Sequence, residues 1–171
     1  MKKTICIFLL SAGCFCSSVA QEPDSTSLTR VGNQVPDFSV ELISGEIIQM
    51  ENLRGKVVLL NFFATWCPPC RQEMPVLEKK VWNRWRNSDF QLISIGREHT
   101  KEEVAAFIKE KGFTFPMGYD PERDIYKKFA TAYIPRNYVI DRDGQIVYQT
   151  MGYTEEEFQK ILDLLAKLIK K

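Results

Sequence analysis

Lys56-Val57-Val58-Leu59-Leu60-Asn61-Phe62-Phe63-Ala64-Thr65-Trp66-Cys67-Pro68-Pro69-Cys70-Arg71-Gln72-Glu73-Met74-Pro75 is the stretch that decides the fold. Its first half is a continuous apolar run, the pattern of a strand buried on both faces. From Pro68 the period changes: Met74, Leu77, Val81 and Trp85 recur at spacings of three and four, which predicts a helix. Pro75 falls inside that helix and, lacking an N–H, should disturb it. A Cys-Pro-Pro-Cys sequence therefore sits where a buried strand hands over to a helix. The first turn of a helix holds N–H groups without partners and about half a positive charge. A thiolate at Cys67 gains from both. Free cysteine titrates near ~8.5, whereas Cys-X-X-Cys sites at helix starts reach about 7 or lower. Cys67 is thus the expected nucleophile and Cys70, the more buried, the resolving thiol. Pro68 and Pro69 stiffen the loop and withhold two N–H donors.

Working outward, Asp37–Leu42 alternates, Ser44-Gly45 turns the chain and Ile47–Met50 returns, which predicts a hairpin. Phe90–Ile95 reads as a second central strand. Thr100 and Glu103 form a capping box for a helix carrying Val104, Phe107 and Ile108, which Gly112 stops. Phe113–Met117 reads as a short strand. Asp120-Pro121 should open another helix with Ile125, Tyr126 and Phe129 inward. Tyr138–Ile140, the turn Asp141-Arg142-Asp143-Gly144 and Ile146–Tyr148 predict a second hairpin. Thr154 with Glu157 suggests a capping box for a final helix burying Phe158, Ile161, Leu162, Leu165, Leu168 and Ile169. Strands alternating with helices imply an α/β fold, a central sheet covered on both faces, and the last hairpin makes that sheet mixed.

The chain has 171 residues, 44% hydrophobic and 26% charged, with a net charge of +1. That is one ordinary domain with no basic signature for nucleic acid. Residues 1–20 differ in kind. Lys2 and Lys3 precede the apolar stretch Ile5–Phe15, and Ser18-Val19-Ala20 supplies the small residues of a cleavage site: the pattern of a secretory signal peptide. Two other fates stay open, a lipoprotein modified at Cys14 and an uncleaved anchor, and only these would put the protein on a membrane. Residues 21–30 read as a flexible lead-in, and 31–171 as the domain. Of five cysteines, Cys6, Cys14 and Cys16 lie in the export segment. Cys67 and Cys70 remain, and a pair closing so small a loop serves chemistry better than stability. Zinc needs about four ligands, which one cysteine pair and the single histidine, His99, do not supply. His99 itself reads as a solvated loop residue, with the active-site rim as the sharper alternative. Trp82 and Trp85 at helical spacing read as core or helix surface.

Asn61 to Pro75 resembles the active-site segment of the TlpA/ResA branch of thioredoxin-like proteins, and the resemblance extends over about residues 31–171. It implies a thioredoxin-like fold with an N-terminal hairpin and an added strand and helix. It implies a thiol–disulfide oxidoreductase without cofactor or metal, exported to the periplasm. It also implies a membrane thiol carrier as electron donor and, as clients, disulfide-bearing exported proteins, apocytochromes c among them. Trp66 would shield the sulfurs. Ile134-Pro135 would be the cis-proline step whose preceding backbone pairs with the client chain. The sequence departs from these relatives at three places. Asn61 stands where thioredoxin has a buried Asp, Pro68 where ResA-like members have Glu, and Asn137 where many have Thr, which leaves client preference open. Glu73 is the candidate substitute proton relay. Competing readings are a disulfide-forming oxidant with the same parts, a thiol peroxidase and a non-catalytic binding module. The peroxidase reading rests on Gly32–Phe38, but Ala64 stands where peroxidases want Thr.

Overall fold

A computed structural model describes residues 24–170; the segment read as a signal peptide lies outside them. The central strand β3 (Val57–Phe63) is buried along its whole length, as its unbroken apolar run demands. β4 (Phe90–Arg97) and β5 (Met117–Asp120) extend the sheet on one side in parallel, and β6 (Arg136–Ile140) and β7 (Ile146–Met151) on the other side antiparallel, in the order β5-β4-β3-β6-β7. The sheet is mixed. A separate antiparallel hairpin, β1 (Ser39–Glu41) and β2 (Ile47–Gln49), lies against β5. Gly118 permits that approach, since a Cβ there would stand 2.4 Å from Val40.

Alternation along β3 builds two cores. Val57, Leu59 and Phe63 face one cluster, which takes in Met74 and Leu77 from the helical segment after the cysteines, Val104 and Phe107 from α3 (Lys101–Lys111), and Phe158 and Leu165 from α4 (Glu155–Ile169). Val58, Leu60 and Phe62 face the other, made with Phe38, Val40, Ile48, Tyr126, Phe129 and Tyr138. The helices α3 and α4 thus share a core face, while the hairpin and a turn cover the opposite one. The expected helix from Pro121 reduces to a 3-10 turn at Tyr126–Lys128. The Asp120 carboxylate takes the N–H groups of Ile125 and Tyr126, and Arg123 stands at φ +60°, so an α-helix cannot run through. The strand expected at Phe113–Met117 forms at Met117–Asp120 instead, after Pro116, because Phe113 and Phe115 turn into the α3 core.

The helix carrying the cysteines begins as α1 (Pro68–Val76), opens into a π-helical stretch at Leu77–Trp82 and closes as a last turn, α2 (Asn83–Trp85). Pro75 cannot bond back to Arg71, and the wider π turns after it keep the helix continuous. Trp85 is buried against Phe90 and Trp82 packs at the edge of the same core. The Thr100–Glu103 capping box forms in full. That at Thr154 forms by half: its hydroxyl accepts the Glu157 N–H, but the Glu157 carboxylate goes to Tyr148 and Lys160.

From Asp24 the segment read as a lead-in is strapped to the domain: the Leu28 N–H donates to Phe129 O and the Thr131 N–H to Thr26 O. Its anchor is Arg136, whose guanidinium is buried and donates to Asp24, Thr26 and Ser27 as well as to Ala132 O. A buried guanidinium needs a paired acceptor, and the nominally polar segment supplies it.

Candidate active site

Cys67 is the N-cap of α1, and Pro68 and Pro69 fill the first two helical positions. The first N–H the helix can offer is therefore that of Cys70, and it points to Cys67 Sγ at 3.3 Å. The sulfur takes the place of an ordinary capping oxygen. The two cysteines are joined as a disulfide with Cα atoms 5.3 Å apart. Cys70 is fully buried and Cys67 is 3% exposed. Trp66 stands 60% exposed beside them. Opposite, the Ile134–Pro135 peptide is cis, and Ile134 O lies 3.8 Å from Cys67 Sγ. β3 and β6, paired from Phe62↔Arg136 to Val58↔Ile140, hold the two halves of the site together.

Glu73, three residues after Cys70 and so on the same face of the helix, is fully buried. Asn61 of β3 donates to Glu73 Oε2 at 2.9 Å and to Asn137 Oδ1 at 2.9 Å. Asn137 of β6 donates to Glu73 Oε1 at 2.5 Å. The Ser94 hydroxyl on β4 closes the set by donating to Asn61 Oδ1 at 2.6 Å. Burial pushes the Glu73 carboxyl up to about 8, against the two amide donors, Asn137 and Asn61, that favour its charged form. A carboxyl poised near neutrality can take a proton from a neighbouring thiol and return it. Asn61 and Asn137 were legible only as departures from a pattern. Together they form a cradle for an acid supplied by the helix instead of the strand. Asn137 faces inward to Glu73, so its side chain belongs to this network.

His99 is the clearest miss. It is buried, not solvated, at 3% exposure. Its Nε2 accepts the Thr65 backbone N–H at 2.9 Å, and its Nδ1 lies 3.3 Å from Glu103 Oε2. The capping box that begins at the next residue, Thr100, was the available signal, since it fixes where Glu103 points. Tyr133 carries no sequence signal. It is 62% exposed, adopts φ +67° immediately before Ile134, and its carbonyl accepts the Tyr126 hydroxyl at 2.6 Å. Among the described residues no three His, Cys, Asp or Glu side chains gather as a metal site, and no helix is long and apolar enough to cross a membrane.

A Cys-X-X-Cys disulfide at a helix start, on a mixed sheet of this order, defines a thiol–disulfide oxidoreductase of thioredoxin-like fold. The chain belongs to the AhpC/TSA family, which matches residues 31–149, and within it to the ResA-like thiol–disulfide oxidoreductases. It is 31% identical over 134 residues to the thiol-disulfide oxidoreductase ResA of Bacillus thuringiensis, covering 78% of this chain and 77% of that one. It is 36% identical over 137 residues to the thioredoxin-like protein YneN of Bacillus subtilis, covering 78% and 79%. Among solved structures, a candidate protein disulfide isomerase of Bacteroides thetaiotaomicron superposes with a TM-score of 0.82 at 43% identity, covering 85% of this chain and 94% of that one.

Proposed function

We propose that this oxidoreductase works outside the cytoplasm as a reductase of disulfides in exported proteins, apocytochromes c among them, and is recharged by a membrane thiol carrier. The Lys2–Ala20 export pattern supports the location. The observation that carries the reductive cycle is the buried Glu73 carboxyl on the face of the helix that bears Cys70. In the dithiol state the Cys67 thiolate, held by the Cys70 N–H and the helix start, attacks one sulfur of a client disulfide. A Cys67–client disulfide forms and the other client sulfur leaves as a thiolate. Cys70 then gives its proton to Glu73 and attacks Cys67 Sγ. The Cys67–Cys70 disulfide forms, the second client thiolate leaves, and two electrons have passed to the client. An external dithiol reverses the last bond. Ile134 O, beside Cys67 on the cis-proline loop, is placed to pair with an extended client backbone, and the exposed Trp66 borders that path.

The same parts run backwards in an oxidant, and the reduction potential of the Cys67–Cys70 pair separates the two. A value near about −270 mV supports the reductase, and one near about −120 mV overturns it. The peroxidase reading shares the family but meets Ala64, fully buried three residues before Cys67, where a polar hydroxyl would be needed. Peroxide consumption far faster than that of a free thiol would revive it.

A further inference from the structure

The turn that carries the nucleophile is held from outside. Ala64, Thr65 and Trp66 link the end of β3 to Cys67, and the Cys67 N–H closes the turn on Ala64 O at 3.2 Å. Inside it, the Thr65 N–H points to His99 Nε2 at 2.9 Å. A backbone N–H only donates, so Nε2 must present its lone pair and the ring hydrogen must sit on Nδ1. Glu103 Oε2 is there to receive it at 3.3 Å, and the same oxygen accepts the Thr100 N–H at 2.8 Å as part of the α3 capping box. The helix cap fixes the carboxylate, the carboxylate fixes the ring, and the ring fixes the turn. The ring is 3% exposed and lies 6.4 Å, centroid to centroid, from Phe63, so water is a poor replacement for it.

We propose that His99 is a positioning residue for Cys67, latching the nucleophile's turn only while its Nε2 is unprotonated. A second ring proton would face the Thr65 N–H donor to donor, and the contact would open. One charged side chain meets the ring among the described residues, and the other charges nearby in sequence are paired elsewhere. Glu103 of α3 faces Nδ1. Arg97, the last residue of β4, pairs with Glu98 and lies over the Tyr126 ring, and Arg123 approaches Glu98 from the turn after β5. β3 presents the Phe63 ring, and the latched turn leads to Cys67 and Cys70, which titrate when reduced. The inference rests on Cys67 being the attacking thiol. It holds for either direction of electron flow and for any client.

The test is the alkylation rate of Cys67 in the reduced protein with iodoacetamide. It is read by mass spectrometry on the Cys67 peptide between about pH 5 and 9, alongside the NMR titration of the His99 ring. In the native protein the acid limb should carry an extra loss of about threefold to tenfold beyond thiolate protonation, the scale of one hydrogen bond, and its midpoint should follow the ring. His99→Gln offers a carbonyl that accepts the Thr65 N–H at every pH, and it should remove that extra loss. His99→Leu should stay on the slow limb throughout. Superimposable profiles for the native protein and His99→Gln would overturn the proposal. So would an acid step that does not follow the His99 titration. Failure of the chain to reduce protein disulfides would leave this readout untouched, because it reports Cys67 alone.

Discussion

Asn61 donates to Glu73 at 2.9 Å in the buried interior behind the cysteine helix, and both side chains are fully buried. The strand that could have carried the acid carries the amide, and the helix carries the acid. Chemically the exchange keeps one buried carboxyl, now on the helix that bears Cys70, while changing which element positions it. A helix residue three on from Cys70 moves with Cys70, so the proposed relay and the thiol it would serve share one rigid body.

The first prediction follows from that carboxyl's titration. Glu73 has its folded value raised to about 8 from the ordinary 4.5. Between those two values the folded chain holds a proton that the unfolded chain has lost, so stability falls as pH rises through the window and is flat outside it. The fall should be roughly 2–4 kcal/mol. Glu73→Gln removes the titrating group. Denaturant unfolding on the acid and alkaline sides of the window should show a smaller difference for the variant than for the native chain. Equal differences would place the titration elsewhere.

The second concerns roles. Cys67 Sγ meets both the Cys70 N–H and Ile134 O, whereas Cys70 is sealed at zero exposure. Cys70→Ser should therefore accumulate mixed disulfides on Cys67, and Cys67→Ser should accumulate none. Non-reducing electrophoresis with mass spectrometry reads both, and adducts on the Cys67→Ser variant would reverse the assignment.

How far these features were legible depends on whether the signal was local. The strand-to-helix handover at Cys67 is written in a change of hydrophobic period, and the α3 cap in a Thr–Glu spacing. Both are short-range patterns. The aborted helix after Pro121 was not legible, because Asp120 can either cap a helix or wrap a tight turn, and only the packing of Tyr126 under Phe62 decides. The Glu73 cradle joins residues 61, 73, 94 and 137: Asn61, Glu73 and Asn137 stand out only against the pattern of similar chains, and Ser94 carries no signal at all. His99 reads as a loop residue until β3 and β4 are laid side by side and bring Thr65 to it. Polar side chains whose partners lie on other strands leave no periodic trace.

The lead-in gives the third prediction. Arg136 is buried and Asp24 meets it at 3.1 Å. Burial would raise the Asp24 carboxyl, but hydrogen bonds from Arg136, Ser27 and Thr26 outweigh this and hold it well below the usual range. Asp24→Ala leaves the guanidinium without its carboxylate and should lower stability by about 2–3 kcal/mol at neutral pH. A depressed carboxyl contributes fully above its unfolded value of 3.8 and loses that contribution as pH falls through the folded one. The deficit of the variant should accordingly shrink in acid. Thermal unfolding of both chains across the acid range checks this, and a pH-independent deficit would assign the loss to packing alone.

The last prediction separates the client side of the site from the nucleophile. Tyr133 stands at φ +67°, a left-handed conformation that side chains disfavour. The Tyr126 hydroxyl fixes it by donating to its carbonyl at 2.6 Å. The next residue is Ile134, whose own carbonyl faces Cys67. The Tyr126 ring is itself fastened between Phe62 and the guanidinium groups of Arg97 and Arg123. Tyr126→Phe keeps the ring and its packing and deletes only the hydroxyl, so stability should fall by about 1 kcal/mol. With the carbonyl released, Tyr133 can relax and carry Ile134 away from the position where a client backbone would pair. KM for a protein disulfide should rise several-fold while kcat and the alkylation rate of Cys67 stay close to native, since the turn at Thr65 is untouched. Steady-state kinetics with the alkylation measurement beside it decides the matter. A fall in Cys67 reactivity would show that the loop and the nucleophile move as one.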